Sequence, residues 1–185
     1  MDSGIDSYCR FLSGDNSGLE EIICSFKDGL ILYLNGYVND LGVAEELTEE
    51  TFVKLVVKRP RFSQQSAFKT WLYTIGRNVT IDYLRRSKKA ELPLDDCLQI
   101  CDEEAGLERS YIRQEDKIIL HQCMKQLKQE YRQVLWLAYF EGFSYQQIAR
   151  ILRKTTHNIE TIAYRARQAL KTILIMEGFE YENVL

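Results

Sequence analysis

The chain has 185 residues, 45% of them hydrophobic, with two prolines and ten glycines, enough for one domain or two small ones with a packed and mostly helical core. No apolar run reaches the roughly 20 residues of a membrane span. The start, Met1-Asp2-Ser3-Gly4-Ile5-Asp6, lacks the basic-then-apolar order of a signal peptide, so a cytoplasmic protein without membrane insertion is expected.

Residues 1–15 read as a polar lead or a first partial helix. From Ser17 to Val38, Leu19, Ile22, Ile23, Phe26, Leu30, Tyr33, Leu34 and Tyr37 recur at helical spacing. Asn39-Asp40-Leu41-Gly42 breaks that pattern. A second helix is expected from about Ala44 to Lys58. Its start is acidic, which suits the positive end of a helix dipole. Carboxylates and threonines on one side, beside the apolar Leu47, Phe52, Val53, Leu55 and Val56, also make a docking face for a basic partner helix. Residues 1–60 hold eleven acidic and five basic side chains.

Pro60 sets a loop over 59–65. Near Ser66 a third helix opens and runs to Lys89. Residues 61–90 hold seven basic side chains and one acidic, with aromatics interleaved. Such a surface stacks unpaired bases and tracks a nucleic-acid backbone. The spacing of Trp71, Leu72, Ile75, Val79 and Tyr83 places most of them in the core. Phe62, Phe68, Lys69, Arg77, Asn78, Arg85 and Arg86 are then the expected exposed set. Residues 90–114 lack helical periodicity until Leu107 and read as an acidic linker; 91–116 carry nine acidic and two basic side chains.

Amphipathic helices are expected over Glu115–Lys128 and Tyr131–Phe140, the second stopped by Gly142. A helix-turn-helix follows. Ser144 and Gln147 form a capping-box pattern, and Ile148, Ala149, Ile151 and Leu152 give one apolar stripe. Arg153-Lys154 is the turn, and Thr155 caps a second helix that buries Ile159, Ile162, Ala163, Ala166 and Leu170. Its other face carries Thr156, His157, Asn158, Glu160, Thr161, Arg165, Arg167 and Lys171. Base-reading groups near the start and cations further along are what a recognition helix in a major groove requires. Residues 144–174 hold six basic side chains and one acidic. Two basic blocks are therefore expected to be able to neutralise phosphate within a chain whose net charge is −3. The tail from Glu177 to Leu185 is acidic.

Five scattered cysteines are a poor disulfide framework. Cys97, Cys101, His121 and Cys123 do not have a standard zinc spacing, and Cys9 and Cys24 fall where Cys acts as a small hydrophobe. No cofactor, metal or catalytic residue is expected.

Three stretches resemble the sigma-70 family of bacterial RNA polymerase, in its extracytoplasmic-function group. Ala44-Glu45-Glu46-Leu47-Thr48-Glu49-Glu50-Thr51-Phe52 is similar to that family's core-polymerase-binding motif. Phe68-Lys69-Thr70-Trp71-Leu72 through Arg77-Asn78 and Ile81-Asp82-Tyr83-Leu84-Arg85-Arg86 is similar to its −10 segment. Gln147-Ile148-Ala149 through Tyr164-Arg165-Ala166-Arg167 is similar to its −35-reading helix-turn-helix. The resemblance implies an all-α fold of two small domains: residues 1–89, a linker over 90–114, and 115–185. It implies that Glu45, Glu46, Leu47, Thr48, Glu49, Glu50 and Phe52 bind the clamp of the largest polymerase subunit, with a further contact to the flap. Phe62, Phe68, Lys69, Arg77, Asn78, Arg85 and Arg86 would hold the melted −10 strand, Asn78 at a flipped base. Thr155, Thr156, His157, Asn158, Glu160, Thr161, Arg165, Arg167 and Lys171 would read −35 DNA. An anti-sigma protein is an expected partner. Arg153 and Lys154 stand where the family has Gly and a hydrophobe, and Glu160 where Lys is common.

Two other readings use the same residues. A stand-alone helix-turn-helix regulator would bind duplex DNA tightly by itself. A metal-dependent enzyme would need the Cys97, Cys101, His121 and Cys123 set to converge, with no nucleophile or phosphate-loop signature in support.

Overall fold

A computed structural model describes residues 3–62, 66–90, 120 and 122–177. The expected linker, the tail, and Cys97, Cys101 and His121 lie outside those residues. The described residues are helical, with no strand among them. Helix α1 spans Ser3–Leu12, α2 Ser17–Val38, α3 Leu41–Lys58 and α4 Phe68–Ala90. The second unit holds a short helical stretch at 122–125, α5 (Gln129–Leu135), a π-helical turn (Trp136–Phe140), α6 (Tyr145–Leu152) and α7 (Thr156–Met176).

The ends of these helices are set locally. Asp40 caps α3 by accepting from the Val43 amide at 2.9 Å, which starts that helix earlier than the expected Ala44. Asn39, at the end of α2, takes the left-handed conformation with φ 52°; Asn tolerates this better than most residues. The predicted Tyr131–Phe140 helix is instead an α segment that widens into the π turn, and Gly142 then reverses the chain at φ 68°.

Helix α2 is the hub of the first unit, packing against α1, α3 and α4. Ile22, Leu30, Ile31 and Leu34 on α2, Leu55 on α3 and Leu72 on α4 are fully enclosed. Phe68, at the start of α4, is the centre of an aromatic cluster: Tyr8, Trp71, Phe26 and Phe62 surround it at ring-centroid distances of 5.5, 5.6, 5.9 and 6.0 Å. Edge and tilted ring pairs of this kind add to the area they bury. Three buried threonines on α3 and α4 satisfy their hydroxyls on their own helices: Thr48, Thr51 and Thr80 donate to the carbonyls of Ala44, Leu47 and Gly76 at 2.8–3.0 Å.

In the second unit α5 packs along α7, and α6 crosses both α7 and α4. Val134, Leu137, Ile148, Ile151, Ile159, Ala163 and Ala166 form its core. The two units meet. Gln129 Nε2 donates to the Tyr37 carbonyl at 3.2 Å, Arg132 Nη1 donates to Asn39 Oδ1 at 2.6 Å, and Tyr73 and Phe143 pack edge-on at 5.1 Å.

Cys9 and Cys24 are exposed on their helices, correcting their expected role as packed small hydrophobes; Cys123 is buried. No cluster of potential metal ligands occurs among the described residues. No described helix is long and apolar enough to cross a membrane.

Candidate nucleic-acid and polymerase interfaces

The helix-turn-helix is built as its residues dictate. The Ser144 hydroxyl accepts from the Gln147 amide at 3.3 Å, and Gln147 Oε1 accepts from the Ser144 amide at 2.8 Å, a complete capping box. Thr155 Oγ1 accepts from the Asn158 amide at 3.2 Å and starts α7. Between the caps Arg153 sits in the left-handed region at φ 56°, where a Cβ is unfavourable. The turn therefore keeps its geometry without the glycine common in the family. The Arg153 and Lys154 amides return to the Arg150 and Ala149 carbonyls at 3.3 and 2.9 Å.

His157, Asn158, Glu160, Arg165 and Lys171 are exposed, and Thr156 and Thr161 are half-buried. At 3.6 residues per turn Asn158, Thr161 and Arg165 form one outward stripe; His157, Glu160 and Tyr164 form its neighbour. Tyr164, 60% exposed, stands on the second stripe and was not among the DNA-facing residues singled out from sequence. Arg167 is placed differently from the other cations. Its Nη1 donates to Tyr139 Oη at 3.1 Å and Tyr145 Oη at 3.3 Å, so two phenols hold it against the body of the unit. Arg150, Arg153 and Lys154 line an open depression of about 620 Å³ at the start of α7, together with Gln146, Thr155 and Thr156. Arg150 and Arg153 extend the cationic surface beyond the residues singled out from sequence; the turn brings them beside the helix start.

On α3 only part of the expected docking set reaches solvent. Glu46 and Glu49 are exposed, and Glu45 and Glu50 are half-buried. Leu47, Thr48 and Phe52 are 3%, 1% and 7% exposed, which corrects their placement on the contact surface: they fasten α3 to the core. The apolar residues at its surface are Val53, Val56 and Val57. Glu50 pairs with Lys54 at 3.0 Å and lies 3.9 Å from Arg86 on α4.

The α4 face is also only partly open. Phe68 is fully buried, contrary to its expected exposed role, because α1 brings Tyr8 over it. Phe62 is half-buried and packs on Trp71 at 5.2 Å. Asn78 and Arg77 are half-buried, and Arg85 and Arg86 are exposed. Arg85 pairs with Asp82 at 2.6 Å. Arg77, Ile81, Leu84 and Arg85 form one wall of a cleft of about 610 Å³, with Leu152 and Lys154 of the second unit among the residues opposite. Lys69 is engaged with Glu141 at 2.8 Å. Burial, then the Glu141 carboxylate, pushes the Tyr73 phenol well above its ordinary range; burial does the same to Tyr33 and, less far, to Tyr37.

These features define a two-unit helical protein with a capped helix-turn-helix and an acidic, exposed helix edge. Residues 25–90 match the model of sigma-70 region 2, and residues 117–170 match the model of sigma-70 region 4. The chain belongs to the sigma-70 family of RNA polymerase sigma factors, in its extracytoplasmic-function group. It is 27% identical over 174 residues to the RNA polymerase sigma-H factor of Pseudomonas aeruginosa, covering 89% of this chain and 90% of that one. It is 28% identical over 155 residues to the extracytoplasmic-function sigma factor SigM of Bacillus subtilis, covering 84% and 94%. Its fold is similar to CnrH, solved in complex with the cytosolic domain of CnrY (TM-score 0.68, 18% identity, 96% of this chain and 100% of that chain). It is also similar to the sigma factor RpoE of Bartonella quintana, solved with the anti-sigma factor NepR (TM-score 0.63, 20% identity, 85% and 97%).

Proposed function

We propose that this sigma factor is a non-catalytic promoter-specificity subunit, acting in the cytoplasm, whose surfaces divide the work by residue. Residues 1–89 dock polymerase and hold −10 DNA, 90–114 connect, and 115–185 read −35 DNA. The exposed edge of α3, Glu46 and Glu49 flanked by Glu45 and Glu50, meets the clamp of the largest catalytic subunit. Leu47, Thr48 and Phe52 set the position of that edge from beneath.

On α7, Asn158 and Thr161 reach base edges while Thr156, His157 and Glu160 line the same approach. Arg165 and Lys171 hold phosphates. Arg153 and Lys154 add phosphate contacts beside the helix start, which Thr155 caps. On α4, Asn78 with Phe62 receives an unstacked base, and Lys69, Arg77, Arg85 and Arg86 track the strand. Unstacking a base costs a few kcal/mol, and a surface that rebinds it favours the open promoter. An anti-sigma protein is a fitting regulator, since the two solved relatives were captured with such partners or with a cytosolic domain.

The observation that carries this reading is the pairing, in one chain, of a fully capped helix-turn-helix with an acidic, exposed helix edge on a separate helical unit. The test is run-off transcription with purified core polymerase on a promoter library. Selective initiation is expected only when chain and core are combined. Tight sequence-selective duplex binding by the chain alone, with no transcription, would instead make it a stand-alone regulator.

A further inference from the structure

Glu160 is the one acidic residue between 144 and 174, a stretch that carries six basic side chains. It stands on the second turn of α7, exposed, in the outward stripe it shares with His157 and Tyr164. The stability of the helix does not account for it. The positions three and four residues away are Thr156, His157, Ala163 and Tyr164, so α7 offers it no lysine or arginine. Its ion-pair contact is His157 Nδ1 at 3.9 Å, with the two side chains 92% and 55% exposed. So long and open a pair contributes little to folding.

On a face that meets phosphate the carboxylate also has a cost, since it repels every sequence alike. An ionised carboxylate only accepts hydrogen bonds, so a compensating contact must come from a donor on the DNA. The major groove offers few. Guanine shows O6 and N7 and thymine shows O4, all acceptors; adenine sets its N6 amino group beside the acceptor N7; cytosine shows its N4 amino group as its one polar atom. The amino-terminal turns of a recognition helix are the part that reaches base edges.

We propose that Glu160 is a specificity determinant of the −35 contact, accepting a hydrogen bond from the N4 amino group of a cytosine in the major groove. This rests on the −35 reading of α7 above and deepens it by naming the base. The carboxylate then works in two directions. It holds back binding to DNA that lacks a cytosine at that position, and it recovers the loss where the cytosine is present.

The experiment measures binding of the full-length chain, in complex with core polymerase, to promoter duplexes in which each −35 position is varied through all four bases. At one position the wild-type complex is expected to prefer cytosine by about tenfold, the scale of a good base contact. Glu160→Gln presents an amide that pairs with adenine N6 and N7, and Glu160→Lys an ammonium that pairs with guanine O6 and N7. The preference at that position should therefore move to adenine in the first variant and to guanine in the second, with the neighbouring positions unchanged. A uniform gain in affinity for all sequences in both variants, with no change of preferred base, would show that Glu160 acts through charge alone and overturns the proposal. Preferences at other −35 positions, with none that follows residue 160, remove this proposal and leave the −35 reading standing. No base preference at any −35 position in the wild-type complex removes that reading itself.

Discussion

The two cationic faces of this molecule look alike in sequence and differ in structure. On α7 the caps are made within a few residues, and Asn158, Glu160 and Arg165 all emerge into solvent. On α4 the comparable side chains are drawn into tertiary contacts: Phe68 into an aromatic cluster, Lys69 onto Glu141, Arg77 into the cleft wall. A run of cations therefore marks where phosphate can go. What packs over the run decides whether phosphate can arrive. One face stands open along its length, and on the other Phe68 and Lys69 are already engaged while Arg85 and Arg86 remain exposed.

The sharpest way to break this contrast is at Phe68. Phe68→Ala removes the centre of the α1–α2–α4 cluster and is expected to cost about 3–5 kcal/mol of stability, as for other buried phenylalanines. Urea unfolding would measure it. Phe62→Ala, at the half-buried rim, should cost clearly less and act mainly on promoter opening. A Phe68→Ala protein of normal stability with a pure opening defect would return Phe68 to the DNA-facing set.

The same enclosure predicts an alkaline limit to stability. Tyr33 and Tyr73 are raised well above the ordinary phenol value of 10.0, whereas the unfolded chain's phenols ionise near that value. Stability from keeping them neutral is thus complete below pH 10 and is lost as pH rises from there toward the folded values. Unfolding free energy measured from pH 7 to 11 should be level and then fall, with a shallower fall in Tyr73→Phe. A level profile throughout would mean that water reaches both rings.

How much of this was legible in the sequence follows the range of the forces involved. The helix-turn-helix could be read because each of its signals is local: Ser144 with Gln147, Thr155 with Asn158, and Gly142 at the end of the preceding helix. The extent of α2 was legible for the same reason, since its stripe repeats over many turns. Phe68 was misplaced because its burial depends on Tyr8, sixty residues earlier, on a helix the sequence hardly announces. Leu47, Thr48 and Phe52 were misplaced because an interface motif and a core stripe share one helical period. Glu141 carried no signal, as its partner is held across a unit boundary by packing that no local pattern encodes. The π turn ahead of it was equally silent.

The open face predicts a separation of roles among its own residues. Asn158→Ala should relax −35 preference by about 1–3 kcal/mol at the base it reads, with little change in salt dependence. Arg165→Ala, two turns further along the same stripe, should weaken all promoters alike and reduce the salt slope by about one phosphate contact. Binding of the polymerase holoenzyme to promoter variants over a salt series distinguishes the two. Arg167→Ala should have the smaller effect on DNA, because Tyr139 and Tyr145 already occupy its guanidinium. Equal losses at Arg165 and Arg167 would mean that the phenols release Arg167 on binding.

The smallest expected effect lies in the turn that joins the two helices. Arg153 holds φ 56° with a side chain that disfavours it, at a cost of roughly 1–2 kcal/mol. Glycine relieves that strain but frees the unfolded chain, an opposing effect of about 0.5–1 kcal/mol. Arg153→Gly should therefore stabilise by somewhat less than about 1 kcal/mol, visible as a small rise in the denaturation midpoint at constant slope. The same substitution removes a cation from the depression at the start of α7 and should lower affinity for every promoter slightly. A residue retained at an unfavourable backbone angle is accounted for if its charge contributes to DNA binding. A variant that is both more stable and undiminished in DNA binding would leave the strain at Arg153 without that explanation.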